Sequence, residues 1–363
     1  MNRVDNILNL LPAPKKTQSI SLQQNTVLVT VAGFEDRHLA AAKCLTKKSG
    51  GEVIIIIYKP YDDRNDYEGL ADQLRLKGSR ITDENNVEYD RFRPQLFPDK
   101  LKRSLKRIKA LHVILDISAM SKLAMLLCLD VCRELNVSVT IHYAEAINYG
   151  PSKEKYEKAK AERSIHRPSI QIYTGVQGVL RVPQFSSVAM QGQPTAAIGF
   201  MSFNEELIQA LLNCVYPARF FLINGKPPRL KWREEATAWI HEKLLKEWPA
   251  SDNPIRDGLP IRTACTLDYR EAFAILYRLY WQLAIDHRIL LAPTGSKMQT
   301  LSCFLITTIH PDVHVEYPTP NGFLDLYSEG VGDQWTVDFG PLGTYTSKLE
   351  TAERMERLGG SSI

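Results

Sequence analysis

The sequence predicts an α/β protein with mainly parallel sheets, built as two related halves. Two observations carry this. Short apolar runs alternate with helical stretches along the chain, the pattern of strand–helix–strand units with helices on both faces of a sheet. The order strand, Ser-Lys turn, apolar helix, strand then occurs twice, at nearly the same spacing. A length of 363 residues suits two domains, and 44% hydrophobic with 24% charged residues is enough to give each a core.

In the first half, the apolar strand 27–31 leads through Gly33, Glu35 and Arg37 into a helical stretch over 38–45. A buried strand over 52–58 follows, then a turn-rich, charged loop over 59–64. A basic helix over 99–109 precedes the strand 113–116. The chain turns through Ser118, Ser121 and Lys122 into an apolar helix over 123–135 and a strand over 137–143, followed by Glu145 and Tyr149.

The charged stretch 153–168 ends in Pro168 and reads as an exposed helix or linker. It divides the chain into a first domain over 1–152 and a second over 169–363. The second half repeats the plan: strand 196–200, then Phe203 and Asn204 before a helix; strand 219–223; helices over 232–248 and 269–285; strand 288–291; Thr294, Gly295, Ser296 and Lys297; helix 298–309; strand 313–317. Lys122 precedes Tyr143 by 21 residues and Lys297 precedes Tyr317 by 20, with one helix and one strand in each interval. The expected architecture is therefore two tandem Rossmann-like domains related by a pseudo-two-fold duplication.

In an open parallel sheet, ligands bind outside the carboxyl ends of the strands, where the next helices begin. Free backbone N–H groups and the helix dipole favour an anion there. Thr294, Gly295, Ser296 and Lys297 supply close backbone approach, two hydroxyls and a cation; Ser118, Ser121 and Lys122 supply nearly the same groups without the glycine. Glu35, Arg37, Phe203 and Asn204 follow the first strand of each half, which places them on the same rim. Tyr143, Glu145 and Tyr317 sit at strand ends, where a ring can stack on a base. The competing reading makes the serines ordinary helix caps and the tyrosines core residues. Neither turn has the glycine and Lys-Ser/Thr order of an NTPase phosphate loop.

The segment Ala-Pro-Thr-Gly-Ser-Lys-Met at 292–298 resembles the Thr-Gly-Gly-Thr-Lys turn of the CRISPR-associated Rossmann fold (CARF) sensor domains of prokaryotic antiviral defence. Ser296 stands where the family has its second glycine, and the first-half turn diverges further. The resemblance implies a sensor for an anionic, nucleotide-type second messenger, held between the two halves and signalling to a separate effector protein. Two alternatives stay open: an enzyme acting on a phosphorylated nucleotide or sugar, and a non-catalytic complex subunit.

No catalytic set is evident. His142 and His314 lie in the last strands at unmatched positions, and Asp116 faces Ala292 as its counterpart. Asp62, Asp63 and Asp66 read as a solvated loop, and the basic stretch 100–109 as a solvated face. The net charge of +4, from 45 basic and 41 acidic residues, does not single out nucleic acid as a partner. No cofactor or metal is expected, because the six cysteines lack zinc-ligand spacing. The longest apolar run is too short to cross a membrane, and scattered, buried thiols suit a cytoplasmic protein.

Overall fold

A computed structural model describes residues 3–46, 50–162, 172, 174–248, 261–324 and 327–357. The chain divides into two compact units, a first comprising Pro12–Tyr149 and Ser328–Thr351, and a second comprising Met1–Leu11, Gly150–Tyr327 and Ala352–Ile363. Helix α1 (Arg3–Leu10) belongs to the second unit. The first unit runs β1 (Lys15–Thr17), β2 (Thr26–Val31), α2 (Ala40–Cys44), β3 (Glu52–Lys59), α3 (Tyr67–Leu76), β4 (Val87–Asp90), α4 (Phe97–Ile108), β5 (His112–Asp116), α5 (Lys122–Glu134), β6 (Ser138–Ala144) and β7 (Asn148–Tyr149). The second unit continues with α6 (Lys153–Ala161), β8 (Val176–Arg181), β9 (Thr195–Phe200), α7 (Glu205–Val215), β10 (Arg219–Lys226), α8 (Trp232–Glu247), β11 (Thr263–Cys265), α9 (Tyr269–Leu283), β12 (Arg288–Ala292), α10 (Lys297–Ile309) and β13 (His314–Pro320). The chain then enters β14 (Ser328–Glu329), β15 (Gln334–Pro341) and α11 (Leu342–Arg357).

The fold is mixed α/β with mostly parallel sheets. Among the described residues the first unit's sheet has the order β1-β15-β6-β5-β2-β3-β4, and the second unit's has β11-β10-β9-β12-β13-β8. The strands from β2 to β6 are parallel, as are those from β9 to β13. Counted in chain order, each parallel set is arranged 3-2-1-4-5. An antiparallel strand covers the edge of strand five in each: β15 on β6, and β8 on β13. Sequence explains the core. Every residue of β2 is buried, as are Val53, Ile54, Ile55 and Ile56 of β3, so these strands read as unbroken apolar runs suited to helices on both faces.

Two features depart from the sequence reading. Residues 328–351, expected in the second domain over 169–363, belong to the first unit, because β15 pairs along β6 from Gln334↔Ala144 to Pro341↔Ser138. Strand β6 would otherwise present an open edge of unpaired backbone groups. The stretch 153–168, expected as an exposed helix or linker, is a helix over its first part but not an exposed one throughout: α6 buries Tyr156 and Ala159 against Phe203, Leu207 and Ile240 of the second unit. Residues 163–168 lie outside the described residues. No described helix is long and apolar enough to cross a membrane.

Candidate functional site

In a 3-2-1-4-5 sheet the chain winds outward from strand one, then returns to its other side for strand four. The crevice between the carboxyl ends of strands one and four is the topological switch point. In the first unit these strands are β2 and β5, and in the second β9 and β12. The loops beyond them touch in both units: a Cβ on Gly33 would lie 3.2 Å from that of Ala119, and the Thr294 hydroxyl bonds the Phe200 backbone. Glu35 and Arg37 follow β2, Phe203 and Asn204 follow β9, and the two Ser-Lys turns follow β5 and β12. Fold topology thus brings these candidates to the two switch points.

The helices after strand four are built alike. Each has 13 residues, a Ser N-cap and Lys as its first residue. Ser121 Oγ accepts from Ala124 N at 3.2 Å, and Ser296 Oγ accepts from Gln299 N at 3.0 Å. Gln299 completes a capping box by accepting from Ser296 N at 2.9 Å, while Tyr58 Oη accepts from Ser121 N at 2.6 Å. Burial pushes the Tyr58 phenol up to about 12, so it stays neutral. The serines are therefore caps, as the plainer reading held. Caps do not account for the lysines. A cation in the first turn opposes the helix dipole, at a cost of about 0.3–1 kcal/mol. Among the described helices, α3, α4, α6, α7, α8 and α9 each place Asp or Glu in the first turn, whereas α5 and α10, like α2 and α11, place none, and of these four only α5 and α10 begin with Lys. Both lysines are half-buried. Cationic helix starts, stripped of acids, are chemically fitted to hold an anion.

Several other candidates hold the protein's own structure together. Ser118 is fully buried, donating to Asp116 Oδ1 at 2.5 Å and accepting from Ala144 N at 2.9 Å. Thr294, 3% exposed, donates to Phe200 O at 2.6 Å and accepts from Phe200 N at 2.9 Å. Glu35 is buried and accepts from Arg37 and Ser328; Arg37 also donates to Ala144 O at 3.3 Å and lies 5.4 Å from the Tyr149 ring centre. Glu145 accepts from Trp335 Nε1 at 3.1 Å, anchoring the start of β15. Phe203 packs under the Arg233 guanidinium at 4.0 Å. Tyr143 and Tyr317, each 8% exposed, close the core rather than offering an open ring face. Asn204 is fully buried, and its side-chain amide makes no hydrogen bond among the described residues.

Sequence reasoning missed one cluster. Register sets Asp116 beside His142, and Asp116 accepts from His142 Nδ1 at 3.0 Å and Thr30 Oγ1 at 3.0 Å. His142 Nε2 lies 2.9 Å from Gln334 Oε1. Burial alone would lower the imidazole pKa, but the hydrogen bond to Asp116 raises it to about 10. Burial would raise Asp116, but His142 and Ser118 hold it below the usual carboxylate range. The pair is therefore a buried ion pair. Ser118 bonds the carboxylate and not the imidazole, so the group lacks the serine–histidine contact of a hydrolytic triad. His314 lies at the opposite, amino-terminal end of its strand, pushed down to about 4 by burial and by Arg288 and Arg181. Three basic residues of α4 are ion-paired: Lys100 with Glu88, Lys102 with Glu134, and Arg107 with Glu84.

No protein-family model matches the chain, and no curated protein matches it as a relative.

Proposed function

We propose that this chain is a sensor for a nucleotide-type anion, gripped at the helix starts of α5 and α10 in two Rossmann-like units that descend from one duplicated domain. The observation that carries the reading is the repeated placement of Lys122 and Lys297. Each is the first residue of a Ser-capped, 13-residue helix with no acid in its first turn, following strand four of a 3-2-1-4-5 sheet. Phosphate is the guest such a place favours, since first-turn N–H groups have no carbonyl of their own helix to meet. The likeness of residues 292–298 to the CARF turn extends the proposal to an oligonucleotide second messenger, a separate effector protein and antiviral defence. Buried Ser118 and Thr294 act here as positioning residues, fixing the turns that present the lysines.

The test is thermal unfolding of the chain against mononucleotides, cyclic dinucleotides and linear and cyclic oligoadenylates, followed by mass spectrometry of the bound ligand. A sensor is stabilised by a phosphate-bearing ligand recovered intact. Recovery of a chemically altered ligand would replace the sensor by an enzyme, and a panel without any stabilising compound would remove the nucleotide reading.

A further inference from the structure

Away from both switch points, the first unit contains a cavity of about 550 Å³ at the carboxyl ends of β3 and β4. Its charged lining is Lys59, Glu88, Asp90, Arg93 and Lys100, beside apolar Phe92 and Leu96. In the strand order it lies on the far side of β3 from the β2–β5 crevice, so it is distinct from the start of α5.

The chemistry of the lining is specific. Glu88 is shared by two lysines, with its carboxylate 3.3 Å from Lys59 Nζ and 3.3 Å from Lys100 Nζ. Arg93 is matched by Asp90 at 3.1 Å. The cations thus exceed the carboxylates by one, and the unmatched positive charge belongs to the Lys59–Glu88–Lys100 group. Phe92 and Leu96 remain 55% and 50% exposed at the same place, offering an aliphatic wall and the ring face of Phe92 away from the Arg91 guanidinium, which lies 5.1 Å from the ring centre. Lys59 Nζ also lies 3.3 Å from the ring centre of Tyr61, itself 66% exposed. The volume falls within the range of small-molecule sites.

We infer that this cavity is a second ligand site, taking a planar aromatic body that carries one negative charge. The ring stacks on Phe92 beside Leu96, and the anion enters between Lys59 and Lys100, supplying the charge that a single Glu88 cannot. The inference does not depend on the helix-start lysines.

The experiment titrates the full chain with three probes, 2-naphthoate, its neutral amide 2-naphthamide, and acetate, followed by naphthyl fluorescence and calorimetry. Naphthoate is expected to bind at least tenfold more tightly than either of the others, which lack the charge or the ring. Phe92→Ala and Lys100→Ala, both at accessible positions, are expected to weaken it about tenfold with an unchanged circular dichroism spectrum. Glu88→Gln frees both lysines and is expected to tighten it several-fold, a change that loss of structure would not produce. Equal affinity for naphthoate and its amide, or wild-type binding by both Phe92→Ala and Lys100→Ala, would overturn the inference. A loss in Lys122→Ala would also overturn it, because it would place naphthoate at the start of α5.

Discussion

Asp116→Asn isolates the buried ion pair of the first unit. The substitution keeps the side-chain shape but only one of the two oxygens: if Oδ1 stays for Ser118 and His142, an amide NH2 replaces the Oδ2 that accepts from Thr30, and His142, fully buried, is left without its counter-charge. Removing one member of a buried pair typically costs about 3–5 kcal/mol. That is a large share of the roughly 5–15 kcal/mol that stabilises a domain. The sign of the pH dependence follows from the direction of each shift. The folded pKa of His142, about 10, lies above its unfolded value of 6.5, so its contribution is complete below 6.5 and is lost as pH rises through about 10. Between those values the loss amounts to about 1.4 kcal/mol per pH unit. Asp116, held low, contributes above its unfolded value of 3.8 and loses that contribution in stronger acid. Urea unfolding between pH 6 and 10, with hydrogen exchange measured on the peptides of β5 and β6, reads both effects. Asp116→Asn should unfold at lower urea at pH 6 and converge on the wild type by pH 10. A variant within 1 kcal/mol of wild type at pH 6, with a parallel alkaline slope, would refute the ion pair.

Three further outcomes follow from the turns and from α4. Ser296→Asp keeps a capping oxygen for Gln299 N but loses the bond that Ser296 Oγ donates to Thr266 O at 2.7 Å and adds a negative charge beside Lys297; its melting temperature should fall by a few degrees while the fold is kept and anion binding disappears, as thermal unfolding, circular dichroism and calorimetry would show. Gly295→Ala would place a Cβ 2.7 Å from that of Phe200 and 2.2 Å from Gln299 Oε1, so the turn must shift; a loss of about 1–3 kcal/mol is expected in urea unfolding. The pair Lys102→Glu and Lys106→Glu should leave anion affinity at the helix starts unchanged in calorimetry, since Lys102 is occupied by Glu134 on a face of α4 outside both switch points.

The parallel strands other than β4 and β11 were legible because each is a compact apolar run, and the Ser-Lys turns because Ser capping followed by an apolar helix has a strong local signature. Lys122 and Lys297 fall at the first residue of α5 and α10 as that signature requires. What the sequence hid was non-local. Nothing in residues 334–341 marks them as a partner of β6 rather than of a strand in the second unit, because an edge strand is chosen by the edge left open. The short strand β4, with its alternating burial, has too little apolar character to stand out. Ser118 and Thr294 carry the same residue types as a ligand-binding turn, and only the backbone atoms within reach of each hydroxyl show that they bind the protein itself. The Asp116–His142 pair could have been found by aligning the two strands in parallel register, which sets those residues side by side.

The central claim is that Lys122 and Lys297 hold an anion. Its most direct test is calorimetric titration of wild type, Lys122→Ala and Lys297→Ala with the nucleotide that most stabilises the chain, at low and high salt. A charge-assisted contact contributes about 1.5–3 kcal/mol, so each variant should bind roughly tenfold to a hundredfold more weakly, with wild-type affinity falling as salt is added. Wild-type affinity in both variants, with no salt dependence, would contradict the claim and leave the two turns as helix caps alone.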